Sequence, residues 1–332
     1  MPVLNEATHV RAAVGSLLGQ DYQGPFEVTL ALGPSIDGTT ELVEEMATVD
    51  ARIRVVANEV GSTPAGLNTA IRASQYAVVI RVDAHSVLPP EYARVAVETL
   101  ERTGADNVGG IMDARGISAF ERAVARAYGT RIGLGGTPHH VGGAEGAAET
   151  VYLGCFRTQS ILDVGLFDEG VKRGQDWDLN RRLREAGGLV WFTPKLRVLY
   201  RPRPSLAQLA RQMLSTGLWR GELARRYPAA NGIRYFVAPV MVLGVTLGVL
   251  LGLGGLLQLA FGVAPWLFLG LIVPAGYLLI VVAATIAVAR PDGFRACLHF
   301  LVVLPCIHFC WGVGFVLGSL KLTSNITAHT GR

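Results

Sequence analysis

Asp83 and His85 close the stretch Val78-Val79-Ile80-Arg81-Val82-Asp83-Ala84-His85, an apolar run that ends in two potential metal ligands with one residue between them. Side chains two apart on extended backbone point the same way, so both can reach one divalent cation. A carboxylate beside an imidazole suits Mn²⁺ or Mg²⁺ carrying a diphosphate. The other reading is that Asp83 caps the element that follows. If the run is a buried strand, its carboxyl end is where α/β sheets place ligands. The chemistry therefore depends on whether the surrounding chain builds such a sheet.

Over residues 1–200 short apolar runs alternate with amphipathic stretches, the pattern of an α/β domain with a largely parallel sheet. Strands are predicted at 26–32, 53–57, 75–82 and 106–112, and helices at 39–49, 64–74 and 90–102. Residues 129–149, rich in Gly and carrying His139-His140, read as a loop near the site, with unpaired surface histidines as the alternative. Met1-Pro2-Val3-Leu4-Asn5-Glu6 reads as the end of a strand entering a helix, so the first strand is expected to be mostly missing at the start of the chain.

The 332 residues are 50% hydrophobic and only 17% charged, too apolar for an ordinary soluble enzyme. The excess lies in the second half: residues 236–289 and 296–320 contain no Asp, Glu, Lys or Arg. At ~1.5 Å per helical residue the first run exceeds one crossing of a ~30 Å hydrocarbon core and reads as two spans turning at Gly262-Val263-Ala264-Pro265. The second run is a third span or, given His299, Pro305 and His308, a re-entrant or interfacial helix. Seven arginines against the single Glu222 between Arg201 and Arg234 mark the cytoplasmic flank of the first span. Arg290 and Arg295 put the next short loop on the same side, and the tail from residue 321 outside. No leader-type segment precedes the polar half, so a plasma (inner) membrane, multi-pass protein with a cytosolic amino-terminal half is expected.

A basic block abutting a span reads as a contact with membrane lipids rather than with nucleic acid. Cys155, Cys297, Cys306 and Cys310 give no disulfide framework. Cys306, His308 and Cys310 resemble metal ligands only superficially, since small residues packing in a membrane helix explain them. Neither a dinucleotide fingerprint nor a phosphate loop ending in Lys-Ser/Thr is present in the polar half. Asn325-Ile326-Thr327 matches a glycosylation sequon at chance-level spacing.

Five segments occur in a telling order: Pro2-Val3-Leu4-Asn5-Glu6, Ser35-Ile36-Asp37-Gly38-Thr39, Asp83-Ala84-His85, Gly165-Leu166-Phe167-Asp168-Glu169, and Gln175-Asp176-Trp177-Asp178-Leu179 leading into Arg181-Arg182-Leu183. Together they resemble glycosyltransferase family 2, inverting nucleotide-sugar enzymes with a GT-A fold. The Asp-Ala-His form and the apolar tail look most like membrane-anchored bacterial exopolysaccharide enzymes of the succinoglycan type. The resemblance implies a GT-A catalytic domain over 1–200, a basic amphipathic linker over 201–235, a membrane domain of two or three helices over 236–320, and a tail over 321–332.

It also implies roles. Asp176 matches the family's catalytic base, which removes the proton of an acceptor hydroxyl as it attacks the anomeric carbon; the cap reading is a carboxylate facing the dipole of the helix it starts. Asp83 matches the cation ligand that offsets charge on the leaving diphosphate, and His85 the last position of the family's Asp-X-Asp. Asn5, Glu6 and Asp37 match positions lining the nucleotide pocket, where the bland reading of 35–39 is a turn and a capped helix. Arg157, Asp168, Glu169 and Gln175 fall on the acceptor side. Gln212, Trp219 and Arg220, on the basic stretch, would meet a lipid diphosphate or anchor at the interface. Two positions depart from the pattern: Gln175 replaces the usual Glu, and Leu32 stands where many relatives carry an Asp that contacts the base or ribose.

The implied reaction takes a sugar from a nucleotide-sugar, with UDP-hexose as the expected donor, to a polyprenyl-linked saccharide at the cytosolic face, alongside other polysaccharide-assembly proteins. A polyprenyl-phosphate sugar synthase is the alternative within the fold. A membrane-anchored binding or scaffold subunit with a decayed site, motivated by Leu32, Gln175 and the short first strand, is the alternative of another class.

Overall fold

The computed structural model describes residues 1–323, so the tail beyond them, with its sequon, lies outside the described residues. In chain order, β1 (Pro2–Val3), α1 (Val10–Leu18), β2 (Val28–Leu32), α2 (Thr39–Val49), β3 (Ile53–Ala57), α3 (Thr63–Ala73), β4 (Val78–Ile80), α4 (Tyr92–Thr103) and β5 (Asn107–Ala114) come first. Then follow α5 (Ala119–Tyr128), α6 (Arg131–Leu134), α7 (Pro138–Val141), β6 (Gly146–Ala147), β7 (Tyr152–Arg157), α8 (Thr158–Asp163), α9 (Gln175–Glu185) and β8 (Val190–Tyr200). Four long helices end the chain: α10 (Leu206–Arg226), α11 (Arg234–Ala260), α12 (Ile272–Ala289) and α13 (Phe294–Ser319). The chain divides into a unit of residues 1–113 and 137–200 and a unit of residues 114–136 and 201 onward.

In the first unit, β1, β2 and β3 form a parallel sheet, with Val3 opposite Leu32 and Leu32 opposite Ala57. A five-stranded sheet in the order β4-β7-β5-β8-β6 completes the α/β domain, β7 running antiparallel to both β4 and β5. Val3, Val10, Leu30, Val43, Leu100, Val108 and Cys155 form one core cluster. A second gathers Ile111, Phe156, Ile161, Phe167, Leu179 and Phe192. The predicted helices and strands are present, shifted by a residue or two at their ends; 39–49 and 53–57 match without a shift. The 75–82 strand is shorter than expected. Its ladder ends at Ile80, although the Arg81 amide still donates to the Gly154 carbonyl at 2.9 Å.

In the second unit, segments Arg234–Ala260, Trp266–Asp292 and Phe294–Ser319 are each 26 or 27 residues long with mean hydropathy of 2.2–2.5, enough by length and composition to cross a membrane. The first two meet at the expected turn, where Gly262 takes a φ of +68°, the left-handed region that favours glycine. The third run is one continuous helix through Pro305. Its His308 is engaged by Tyr277 Oη at 3.2 Å and by the Ile132 carbonyl at 2.6 Å, which accounts for that imidazole without a metal.

Helix α10 packs on α13 through paired small-residue steps. A Cβ on Gly217 or Gly221 would stand 2.1 Å from the Trp311 or Phe315 carbonyl oxygen, and one on Gly318 would stand 2.1 Å from the Leu218 oxygen. Gly221→Val should therefore lower the thermal midpoint of the detergent-solubilised protein by the equivalent of about 1–3 kcal/mol, an overpacking effect. Gly276→Ala, where a Cβ meets nothing within 4 Å, serves as the control and should not destabilise. Equal midpoints for wild type and Gly221→Val would contradict this close approach.

Candidate active site

The loops after β1 and β2 are stitched together by polar side chains. Asn5, with a φ of +54°, accepts from the Ile36 amide at 2.9 Å through Oδ1, and its own amide donates to Ser35 Oγ at 3.0 Å. Asparagine tolerates that conformation better than most residues. Asp37 accepts from the Ala7 amide at 3.1 Å, from the Thr39 amide at 3.1 Å and from the Thr39 hydroxyl. The Thr39 hydroxyl is the main cause that holds the Asp37 carboxyl below the ordinary aspartate range. The Glu6 amide donates to Thr39 Oγ1 at 2.8 Å. Asn5, Glu6 and Asp37 thus lie together on these two loops, with Asn5 and Asp37 holding the loops in shape.

Beyond β4 the backbone delivers a charge that the apolar pattern did not announce. Arg81, its side chain only 6% exposed, donates through Nη2 to Asp83 Oδ1 at 3.1 Å and through Nη1 to Asp176 Oδ1. Burial opposes its charge, but Asp176 and then Asp83 more than offset that and raise its pKa. Its guanidinium carbon lies 5.9 Å from the Phe167 ring centroid. The two aspartates that sequence separates by 93 positions therefore share one guanidinium. Burial raises the Asp176 carboxyl above the ordinary range, Arg81 pulls against that, and Asp83 adds to it. The side chain of Asp176 keeps 32% of its surface exposed, so it is open to solvent on one side.

Helix α9 explains why Asp176 and not Asp178 faces Arg81. Gly174 enters the helix with a φ of +83°, and Asp176 sits in the first turn, where a carboxylate is favoured by the dipole. Asp178 is 1% exposed and accepts from Arg181 and Arg182, each at 2.9 Å. Gln175 is the first residue of α9, beside Asp176.

The segment before α9 is pinned by Asn68, a buried residue of α3. Asn68 Nδ2 donates to the Phe167 carbonyl and to Glu169 Oε1, both at 2.9 Å, and its Oδ1 accepts from the Phe167 amide at 2.9 Å. Asp168 closes a tight turn by accepting from the Gly170 amide at 2.8 Å. Arg157 is placed elsewhere. Its guanidinium donates to the Ala105 and Leu100 carbonyls at 3.0 and 3.2 Å, satisfying the carboxyl end of α4. Arg81 and Asn68 were not singled out from sequence. The only sequence signals for them are a charge inside an apolar run and an amide within a helix, and neither specifies a partner.

His85, on the turn after Asp83, has its Nδ1 3.2 Å from Glu6 Oε1. Among the described residues no group of three or more His, Cys, Asp and Glu has metal-binding geometry. The Ser86 amide donates to the Asp83 carbonyl at 2.9 Å, so the segment turns after Asp83 instead of continuing as the extended backbone expected from sequence. A carboxylate and an imidazole in this turn would suit a hard divalent cation that takes its other ligands from diphosphate and water. In the second unit, Trp219 is 1% exposed and belongs to the packing. Gln212 meets the Tyr128 hydroxyl at 3.3 Å, while Arg220 contacts Asn231 and lies 3.6 Å from the Tyr235 ring centroid.

The glycosyl transferase family 2 model matches residues 1–156. A succinoglycan biosynthesis protein, ExoA of Rhizobium meliloti (strain 1021), is 32% identical over 307 residues, 89% of this chain and 92% of the relative. A glycosyltransferase of Haloferax volcanii, AglE, is 26% identical over 197 residues, 58% of this chain and 62% of that one. A mannosyltransferase from Pyrobaculum calidifontis, solved with GDP-Man and Mn²⁺, shares the fold with a TM-score of 0.60 at 16% identity, over 97% of this chain and 86% of that one. With 32% identity to ExoA over most of both chains and the family model on its polar half, the chain belongs to glycosyl transferase family 2 and has a GT-A-like α/β domain followed by membrane-capable helices.

Proposed function

We propose that this glycosyltransferase inverts the anomeric centre as it moves a hexose from a nucleoside-diphosphate sugar, UDP-hexose in the first instance, to a hydroxyl of a polyprenyl-linked saccharide at the cytosolic face of the inner membrane, within exopolysaccharide assembly. The observation that carries this reading is the convergence of Asp83 and Asp176 on Arg81. Two carboxylates that share one guanidinium support a donor-side ligand and an acceptor-side base acting on the same sugar. Asp176, partly exposed, takes the proton of the attacking hydroxyl. Asp83, with His85, would hold Mn²⁺ or Mg²⁺ against the diphosphate, where the cation supplies charge compensation for the leaving group. Asn5 and Asp37 keep the nucleotide loops rigid. The name of ExoA supports the exopolysaccharide setting, and the Mn²⁺ and GDP-Man of the Pyrobaculum enzyme support the cation and the class of donor. Three apolar helices and the preceding arginines support a lipid-borne acceptor.

The test is transfer from a panel of labelled nucleotide sugars to a native lipid extract by the purified full-length protein in detergent. Label should enter the organic phase with inverted anomeric configuration, stop on chelation and resume with Mn²⁺. Transfer to polyprenyl phosphate alone would replace the hydroxyl acceptor in this reading, and no transfer from any donor would overturn it.

A further inference from the structure

Glu6 stands in a motif expected to touch the nucleotide, yet its carboxylate is directed at two imidazoles of this chain. Oε1 lies 3.2 Å from Nδ1 of His85, and Oε2 lies 3.3 Å from Nδ1 of His9. The carboxylate is 14% exposed against 42% for His85, so the acid is the anchored member of the pair. Its backbone is fixed as well, because the Glu6 amide donates to Thr39 Oγ1 at 2.8 Å and the neighbouring Asn5 is held by Ser35 and Ile36. We propose that Glu6 is the positioning residue of His85, holding the ring through Nδ1 so that His85 meets the donor's cation through Nε2.

The chemistry follows from the two nitrogens of an imidazole. A carboxylate next to Nδ1 favours the tautomer that carries its proton there and puts the ring's lone pair on Nε2. Any coordination by this ring then runs through Nε2. Histidines that ligate metals commonly donate their other N–H to a carboxylate, which fixes the ring and raises its basicity. The need for such a second ligand is visible at Asp83, one of whose oxygens already accepts from Arg81. An aspartate shared with an arginine is a reduced donor, and an oriented imidazole two positions on restores a second one. A nitrogen donor also shifts preference from Mg²⁺ toward Mn²⁺, because imidazole binds transition ions better than it binds Mg²⁺. This inference rests on the donor reading above and deepens it by assigning Glu6 to His85 rather than to the nucleotide.

Electron spin-echo spectroscopy of Mn²⁺ tests this without catalysis. The purified full chain is loaded with MnCl₂ and UDP, or GDP, and examined for the ¹⁴N modulation of a coordinated imidazole. Wild type should show it, and His85→Asn should lose it. Glu6→Gln, checked for an unchanged thermal midpoint, should weaken the modulation and raise the Mn²⁺ dissociation constant by about 10- to 100-fold. His9→Gln should leave both unchanged. In His85→Asp, Mg²⁺ should compete with Mn²⁺ about 10-fold better than in wild type, as a carboxylate replaces the nitrogen. Bound Mn²⁺ and nucleotide without ¹⁴N modulation in wild type would overturn the role of His85 while leaving the donor reading intact. Full modulation in Glu6→Gln would overturn the role of Glu6 alone. Absence of any Mn²⁺-nucleotide complex would overturn the donor reading, and the inference with it.

Discussion

Asp176→Asn protein should bind Mn²⁺ and nucleotide as wild type does but transfer sugar about 10²- to 10⁴-fold more slowly, the range that a positioned general base contributes. The amide matches the carboxylate in shape and can still accept from Arg81, so the fold and the donor side survive. What it lacks is the ability to take a proton from the attacking hydroxyl. The pH profile checks the same assignment. Burial holds the Asp176 carboxyl above the ordinary aspartate range, with Arg81 opposing and Asp83 adding. The base works only when ionised, so kcat/KM should fall as pH drops through that raised value, above the pH where an ordinary aspartate would protonate. Single-turnover assays and calorimetric titration separate the two effects. Wild-type turnover in Asp176→Asn would remove the base, and would favour an acceptor that arrives already anionic, such as a polyprenyl phosphate.

Arg81→Met should destabilise the first unit. The methionine fills much of the volume but leaves Asp83 and Asp176 without their shared countercharge. Removing one partner of a buried ion pair costs about 3–5 kcal/mol. Here the carboxylates are 18% and 32% exposed, so water screens part of the loss and about 2 kcal/mol is expected. Thermal unfolding in detergent measures it, and a double-mutant cycle tests its cause. Asp176→Asn placed on the Arg81→Met background should recover part of the stability, because it removes one of the two stranded charges. Arg81→Lys should fall between, since an ammonium keeps the charge but lacks the planar fork that reaches both carboxylates. Strict additivity in the cycle would show that Arg81 acts by packing on Phe167 rather than by bridging the aspartates.

These two predictions differ in how much of them could be read along the chain. Asp176 was legible because it lies in an ordered series of motifs, and the turn at 35–39 was legible because Asp, Gly and Thr have strong local preferences. Arg81 was not. It is one charge in an apolar run, and nothing in periodicity says whether such a charge points to solvent, to a partner or into the core. Arg157 shows the converse. The resemblance put it in the acceptor-side segment, and only the fold shows that its guanidinium donates to the carbonyls of Leu100 in α4 and of Ala105 just past it. Trp219, with arginines around it, reads equally as an interfacial anchor, yet it is buried within the second unit.

The sequence by itself determined the alternating elements from residue 26 to 112, the apolar helices with their turn at Gly262, and the family. Each of these follows from short-range preference, from hydrophobic period, or from residues in a fixed order. Only the tertiary structure decided which side chains meet: Arg81 with two aspartates 93 positions apart, Asn68 with Phe167 and Glu169, Glu6 with His85. It also decided that residues 114–136 join the helices of the second unit rather than the sheet that precedes them. The physical reason is common to all of them. Ion pairs, side-chain hydrogen bonds and close helix approach act between groups far apart in sequence, and their partners exist only once burial has closed the intervening loops.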